Sequence, residues 1–349
     1  VSHWRLDWPT SGGARVAHAQ LKAAPADFFV DEVLELAGAL TAPESTEVTG
    51  SGEHLCLRLE KVGDNTEFVA RELSRLANCR SFDVGFCGLK DRHAVTRQWF
   101  SLYRPGREAE DADLIQEVSF RWPVVSAFRD ARKLRRGDHR GNRFVITLRN
   151  VSGDRQAIED ALHRLASLGA PNYFGPQRFG RDGANLDRAL HIDPSALNRR
   201  SRSGGKGRGG KKRAGSEGAK NVLYFSAARS WLFNEVLAAR VQDGTWAEPS
   251  ATGPLWGDGG TTASGLLETR ERDIVAQTPV LADLFSVTRM KPERRPLASR
   301  PEDLVWRWQG DDCLELSFFL SPGQYATTIL NDIFELEDMS LGRHNEQQG

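Results

Sequence analysis

Apolar and polar residues alternate with a period of two at residues 54–59 (HLCLRL), and residues 28–34 (FFVDEVL) form an apolar-rich run. Both read as strands. Helical spacing takes over at 66–77 (TEFVARELSRLA), where Phe68, Val69, Leu73, Leu76 and Ala77 fall on one face. Asp64 or Asn65 can cap the start of that helix. Short apolar runs at 83–89 and 96–103 read as buried strands, separated by the polar turn Lys90-Asp91-Arg92-His93. A strand is expected at 144–151 and a helix at 154–168, stopped by Gly169 and barred from resuming by Pro171. From Pro171 to Gly180 the chain is a loop rich in glycine and aromatics. Helices are expected near 183–190 and 226–240, loops over 244–265, and an alternating strand at 313–320. Pro322 and Gly323 then open a final helix near 323–336.

At 349 residues the chain is long for one compact core, which predicts one elaborated domain or two. With 39% apolar and 27% charged residues, wholesale disorder is excluded. No apolar run reaches the ~18–20 residues of a bilayer span. The opening, Val1 to Trp8, is polar and is broken by Pro9, unlike a secretory leader. A start without Met points to a trimmed or processed terminus.

Lys+Arg and Asp+Glu both total 47, so a protein working through global positive charge is excluded. The charge is nevertheless segregated. Basic runs occupy Arg129–Arg143, 199–213 (RRSRSGGKGRGGKKR) and Arg289–Arg300, while acids such as Asp332, Glu335, Glu337 and Asp338 lie elsewhere. Such runs fit either solvated loops or a surface for nucleic-acid phosphates. The glycine-rich 199–213 run cannot bury a core and is expected to be a mobile loop. Cys56, Cys79, Cys87 and Cys313 show no C-x-x-C or zinc spacing, and the eight histidines form no H-E-x-x-H cluster. They are read as structural thiols in a reducing cytosol, with no bound metal.

The most informative segment runs from Gly85 to Phe100 (GFCGLKDRHAVTRQWF). Asp91 stands in a turn between two apolar strands, with Lys90, Arg92, His93 and Arg97 close in sequence. Nearby cations favour an ionised carboxylate, which suits a nucleophile or base. The same residues also suit an acid that caps a turn within a local ion-pair network. The residues alone leave both readings open.

The string GLKDRHAVTRQWFS resembles the motif around the catalytic aspartate of the TruD family of tRNA pseudouridine synthases. Pro171 to Gly180 (PNYFGPQRFG) is similar to a second signature of that family, near the start of its inserted domain. Shorter matches follow in the right order and span nearly the whole chain: ADFFV at 26–30, RGNRF at 140–144, ERRPL at 293–297 and SPGQYAT at 321–327.

The resemblance implies an α+β fold. A pseudouridine-synthase-type catalytic domain, with a mixed, mostly antiparallel sheet flanked by helices, would be built from residues 1–166 and 304–349. An inserted α/β TRUD domain would span 167–303, with a basic cleft between the two holding tRNA. The implied activity is that of a cytoplasmic isomerase that turns uridine into pseudouridine in tRNA, at position 13 in bacterial members. It needs no cofactor, no membrane and no obligate protein partner. The catalytic role falls on Asp91, and substrate contacts fall on Phe28, Asn142 and Tyr325. Some family members carry Phe at the last place, and a Tyr adds a hydroxyl that could assist proton removal from C5. Lys90, Arg92, His93 and Arg178 are candidate supporting or RNA contacts. Which cation faces Asp91 is left open among Lys90, Arg92 and a distant arginine. Two other classes stay in view: an RNA-binding module without catalysis, and a nucleoside hydrolase built on a carboxylate pair.

Overall fold

The structure is a computed structural model that describes residues 3–193 and 211–342, by backbone alone over 211–220 and at 287. In chain order the strands are β1 (Ala17–Leu21), β2 (Phe28–Leu34), β3 (Val48–Gly50), β4 (His54–Lys61), β5 (Val84–Phe86), β6 (Val95–Tyr103), β7 (Val124–Asp130) and β8 (His139–Gly153). They continue as β9 (Ala170–Pro171), β10 (Thr252–Leu255), β11 (Glu293–Pro296), β12 (Ala298–Ser299), β13 (Glu302–Trp308), β14 (Leu314–Leu320) and β15 (Phe334–Asp338). The helices are α1 (Ala37–Thr41), α2 (Thr66–Leu76), α3 (Asp111–Ser119), α4 (Arg155–Leu168), α5 (Ala184–Leu190), α6 (Lys211–Gln242), α7 (Gly265–Val275), α8 (Pro279–Ala282) and α9 (Ala326–Asn331).

The chain divides into two compact units. One comprises Val16–Ile158, Pro301–Ala326 and Phe334–Gly349. Its sheet runs in the order β13-β14-β8-β2-β6-β4-β7-β3, with β1 joining β8 to β15 and with β5 on β6. The pairs β1–β15, β2–β6 and β3–β7 are parallel. The others, such as β2–β8 and β4–β6, are antiparallel, so the sheet is mixed and mostly antiparallel as expected. Leu55, Leu57 and Leu59 of β4 and Phe100 and Leu102 of β6 pack against Val69 and Leu73 of α2 and Leu114, Ile115 and Val118 of α3. The α2 start is capped as the sequence suggests, with the Asn65 side chain accepting from the Phe68 N–H at 2.8 Å.

The other unit comprises Val1–Arg15, Glu159–Arg300 and Thr327–Ile333. It is helical, with two small ribbons, β10–β11 and β9–β12. Its core gathers Trp231, Phe233, Val236 and Leu237 of α6 with Tyr173, Phe174 and Phe179 of the aromatic loop. Tyr173 stacks on Trp8 and donates its hydroxyl to the Pro9 carbonyl at 3.0 Å.

Four expectations are corrected. The final helix is only α9, and Phe334–Asp338 form a strand instead. The alternation FELED is short and ambiguous by itself, and parallel pairing of β15 with β1 decides it. The helix expected at 226–240 begins at Lys211. The stretch expected as loops over 244–265 contains β10. The basic run 199–213 lies outside the described residues up to 210, and 211–213 open α6 rather than a loop. All four cysteines are free, with Cys56 and Cys87 buried. Among the described residues no helix is long and apolar enough to cross a membrane.

Candidate active site

The loop between β5 and β6 carries Asp91, and hydrogen bonds from three directions fix its backbone. The Gln98 side chain donates to the Gly88 carbonyl at 2.6 Å. The Lys90 N–H donates to Thr66 Oγ at 3.0 Å, and Thr66 Oγ donates in turn to Gln98 Oε1 at 2.9 Å. The Gly63 N–H donates to the Arg92 carbonyl at 3.0 Å. A loop held at alternate residues presents the intervening side chain without further ordering cost.

Asp91 receives two donors. The Lys22 ammonium lies 2.5 Å from Oδ2, and the His93 N–H donates to Oδ1 at 2.9 Å. Burial pushes the Asp91 carboxyl up, but the Lys22 hydrogen bond, the His93 N–H and the Lys22 charge outweigh it and hold the carboxyl below its ordinary value. Asp91 therefore stands ionised while its side chain keeps about a third of its surface open to solvent. The cation next to it is Lys22, which none of the sequence motifs singled out. Lys22 directly follows β1 with φ 55°, a conformation that non-glycine residues rarely adopt. Its side chain is 9% exposed, and its ammonium also lies 3.5 Å from Asp338 Oδ2 and 4.9 Å over the Phe28 ring.

Lys90 turns away from this cluster. Its ammonium pairs with Glu32 Oε2 at 2.5 Å, and both side chains are buried. The ladder between β2 and β6 ends at Asp31↔Arg97. Beyond it, the Trp99 N–H donates to Glu32 Oε1 at 3.1 Å. Glu32 thus ties the end of that ladder to the Asp91 loop.

Register places the substrate-contact candidates. Phe28, Val30 and Glu32 oppose Ile146, Phe144 and Asn142 across β2–β8, so these six side chains share one sheet face. Phe28 meets Phe144 edge-on at 6.1 Å, and Phe144 stacks on Phe318 at 5.5 Å. Asn142 also opposes Leu320, and its Oδ1 is buried with no hydrogen-bond partner. A buried amide oxygen left unpaired is costly, and a bound donor removes that cost. Gly141 is required just before it: a Cβ there would stand 2.2 Å from the Leu320 carbonyl oxygen. Tyr325 follows β14 and is 47% exposed, beside Gln324, whose Oε1 is also buried without a partner.

Arg92 is exposed, and its Nε contacts His93 Nε2 at 3.3 Å. Arg178 belongs to the other unit, where it donates to Ser226 Oγ at 2.6 Å and Ser230 Oγ at 3.3 Å and lies over the Phe174 ring. The residues missed in the sequence are Lys22, Glu32 and Asp338. A lysine just past the end of a strand carries no local signal of burial, and Asp338 lies far along the chain. Glu32, Cys87 and His139 offer ligand atoms within 4.8 Å of one another, and Glu32 is ion-paired with Lys90.

The model of the family described as tRNA pseudouridine synthase D (TruD) matches residues 13–186 and 247–333. The chain is 62% identical over 359 residues to a tRNA pseudouridine synthase D of Marinobacter nauticus, covering 99% of both. It is 36% identical to that of Xanthomonas euvesicatoria, over 97% of this chain and 96% of the relative. A solved structure from Methanosarcina mazei assigned to TruD shares the fold with a TM-score of 0.65 at 19% identity, over 93% of this chain and 95% of that one.

Proposed function

This chain belongs to the tRNA pseudouridine synthase D family, and from that premise we propose that Asp91 carries the isomerisation of uridine 13 of tRNA without a cofactor. Membership makes the protein an isomerase that modifies tRNA. The single observation that carries the finer reading is the Asp91 carboxylate, held ionised by Lys22 and the His93 N–H on a pinned loop.

The reaction breaks the N1–C1′ bond of uridine and forms a C5–C1′ bond. C5 loses its proton and N1 gains one, so no electrons are exchanged with a co-reactant. An ionised carboxylate can start this by attacking the sugar or by removing a proton that triggers glycosidic cleavage. Both routes need the low carboxyl value that Lys22 supplies. The target uridine leaves its stack to reach Asp91. In this reading Phe28 and the Tyr325 ring enclose the uracil, and Asn142 accepts from its N3–H through the unpaired Oδ1.

Tritium release from C5-labelled tRNA transcript tests the assignment. Wild type releases tritium, a folded Asp91→Asn variant does not, and a transcript lacking U13 gives none with either. Free uracil as the product would instead identify a hydrolase. Undiminished release by Asp91→Asn would remove Asp91 from the chemistry. Tyr325→Phe retains turnover if the ring alone matters and loses it if the hydroxyl takes the C5 proton.

A further inference from the structure

The basic run Arg129–Arg143 separates into two kinds of cation once its contacts are known. Arg129 is buried and grips Asp111 with two bonds of 2.6 and 2.9 Å. Arg140 lies 3.8 Å from Glu35, and Arg143 lies 3.7 Å from Asp303. Arg132, Arg135 and Arg136 differ. They are exposed, and their guanidinium groups have no hydrogen bond or ion pair among the described residues. The chain has as many acids as bases, so three unpaired arginines within five positions are not a consequence of composition.

The loop that carries them, between β7 and β8, is fixed. Leu134 is 2% exposed, and its N–H donates to Ser101 Oγ at 2.9 Å. The Lys133 ammonium donates to the Phe82 carbonyl. The Gly137 N–H donates to the Cys87 carbonyl at 3.0 Å, which fastens this loop to the segment leading into Asp91. Gly85 permits the close approach, since a Cβ there would stand 2.3 Å from the Leu134 carbonyl oxygen. Beside the loop, Phe82 is 63% exposed and carries the Arg80 guanidinium 4.2 Å from its ring centre.

Cations that repel one another on a rigid backbone are preorganised for a polyanion. We propose that Arg132, Arg135 and Arg136 form the docking surface for the phosphates of the RNA segment that carries the target uridine, with Phe82 as a stacking platform for one of its bases. The proposal rests on the tRNA-modifying function given above and adds where the backbone is gripped. Phosphate contacts of this kind set position and affinity rather than sequence choice.

The test is direct tRNA binding, with tritium release run in parallel. In the variant Arg132→Gln/Arg135→Gln/Arg136→Gln, Kd for tRNA rises about tenfold or more at 0.15 M salt, and the slope of log Kd against log salt falls by about two to three. Turnover at saturating tRNA falls far less than affinity. The triple Arg→Lys variant keeps the wild-type salt slope, because the charge is retained. Phe82→Ala weakens binding about fivefold or more with the slope unchanged. A folded triple Gln variant with wild-type Kd and slope would overturn the proposal. So would loss of heparin binding with tRNA binding intact, which would assign the loop to another polyanion. Failure of the functional reading looks different: wild type would release no tritium, while the binding comparison would still report on the loop.

Discussion

Glu32 and Lys90 form an ion pair of 2.5 Å in which the carboxylate has no solvent exposure and the ammonium side chain has 6%. Lys90 is the neighbour of Asp91 in the chain, so the carboxylate proposed for catalysis is held next to a buried ion pair. Removing one partner strands the other charge in a buried site, which costs about 3–5 kcal/mol.

Lys90→Met is therefore expected to lose about 3–5 kcal/mol in urea unfolding, together with turnover. Glu32→Gln/Lys90→Met removes both charges and keeps an acceptor for the Trp99 N–H, so it regains most of the stability. Turnover stays low in the double variant, because Lys90 no longer tethers the loop. A double variant as active as wild type would show that the pair serves only stability.

Lys22 is expected to set the acid limit of activity. Asp91 lies below its ordinary value because Lys22 and the His93 N–H outweigh burial. In Lys22→Met burial acts with less opposition, and the carboxyl moves up. The ionised form is then lost as pH falls through that higher value, so the acid limb of kcat/KM shifts to higher pH than in wild type. Lys22→Arg keeps the charge and shifts the limb less. Superimposable pH profiles for wild type and Lys22→Met would contradict the assigned role.

Lys61 makes a pH-dependent contribution of the opposite kind. Its side chain is almost fully buried and donates to the Asp64 carbonyl at 3.0 Å. Burial, and then repulsion by Lys90, push its ammonium down to about 8 from an ordinary 10.5. Between these values the unfolded chain binds more protons than the folded one, so stability rises with pH. Below about 8 both states hold the proton and the full cost, on the order of 3 kcal/mol, stands. Lys61→Met is expected to be more stable than wild type at pH 7, and the gap should narrow by pH 10. Urea unfolding at the two pH values checks this, and a variant less stable than wild type at pH 7 would refute it.

The sequence by itself determined much of the local structure. Alternation at 54–59 marks β4, and helical spacing with Asn65 as cap marks α2, because both patterns depend on neighbours a few residues apart. The motif strings likewise pointed to the TruD family, since each is contiguous. What the tertiary structure decided is every relation between distant residues. Lys22 meets Asp91 across 69 positions, and Glu32 meets Lys90 across 58. FELED became β15 because β1 offers it a parallel partner, where local spacing had suggested the end of a helix. The basic run 129–143 divides into ion-paired arginines and unpaired ones only when burial and acidic neighbours are known. Charge along a sequence fixes how many cations there are, whereas a cation's effective field depends on what lies within a few ångströms, and folding sets that distance.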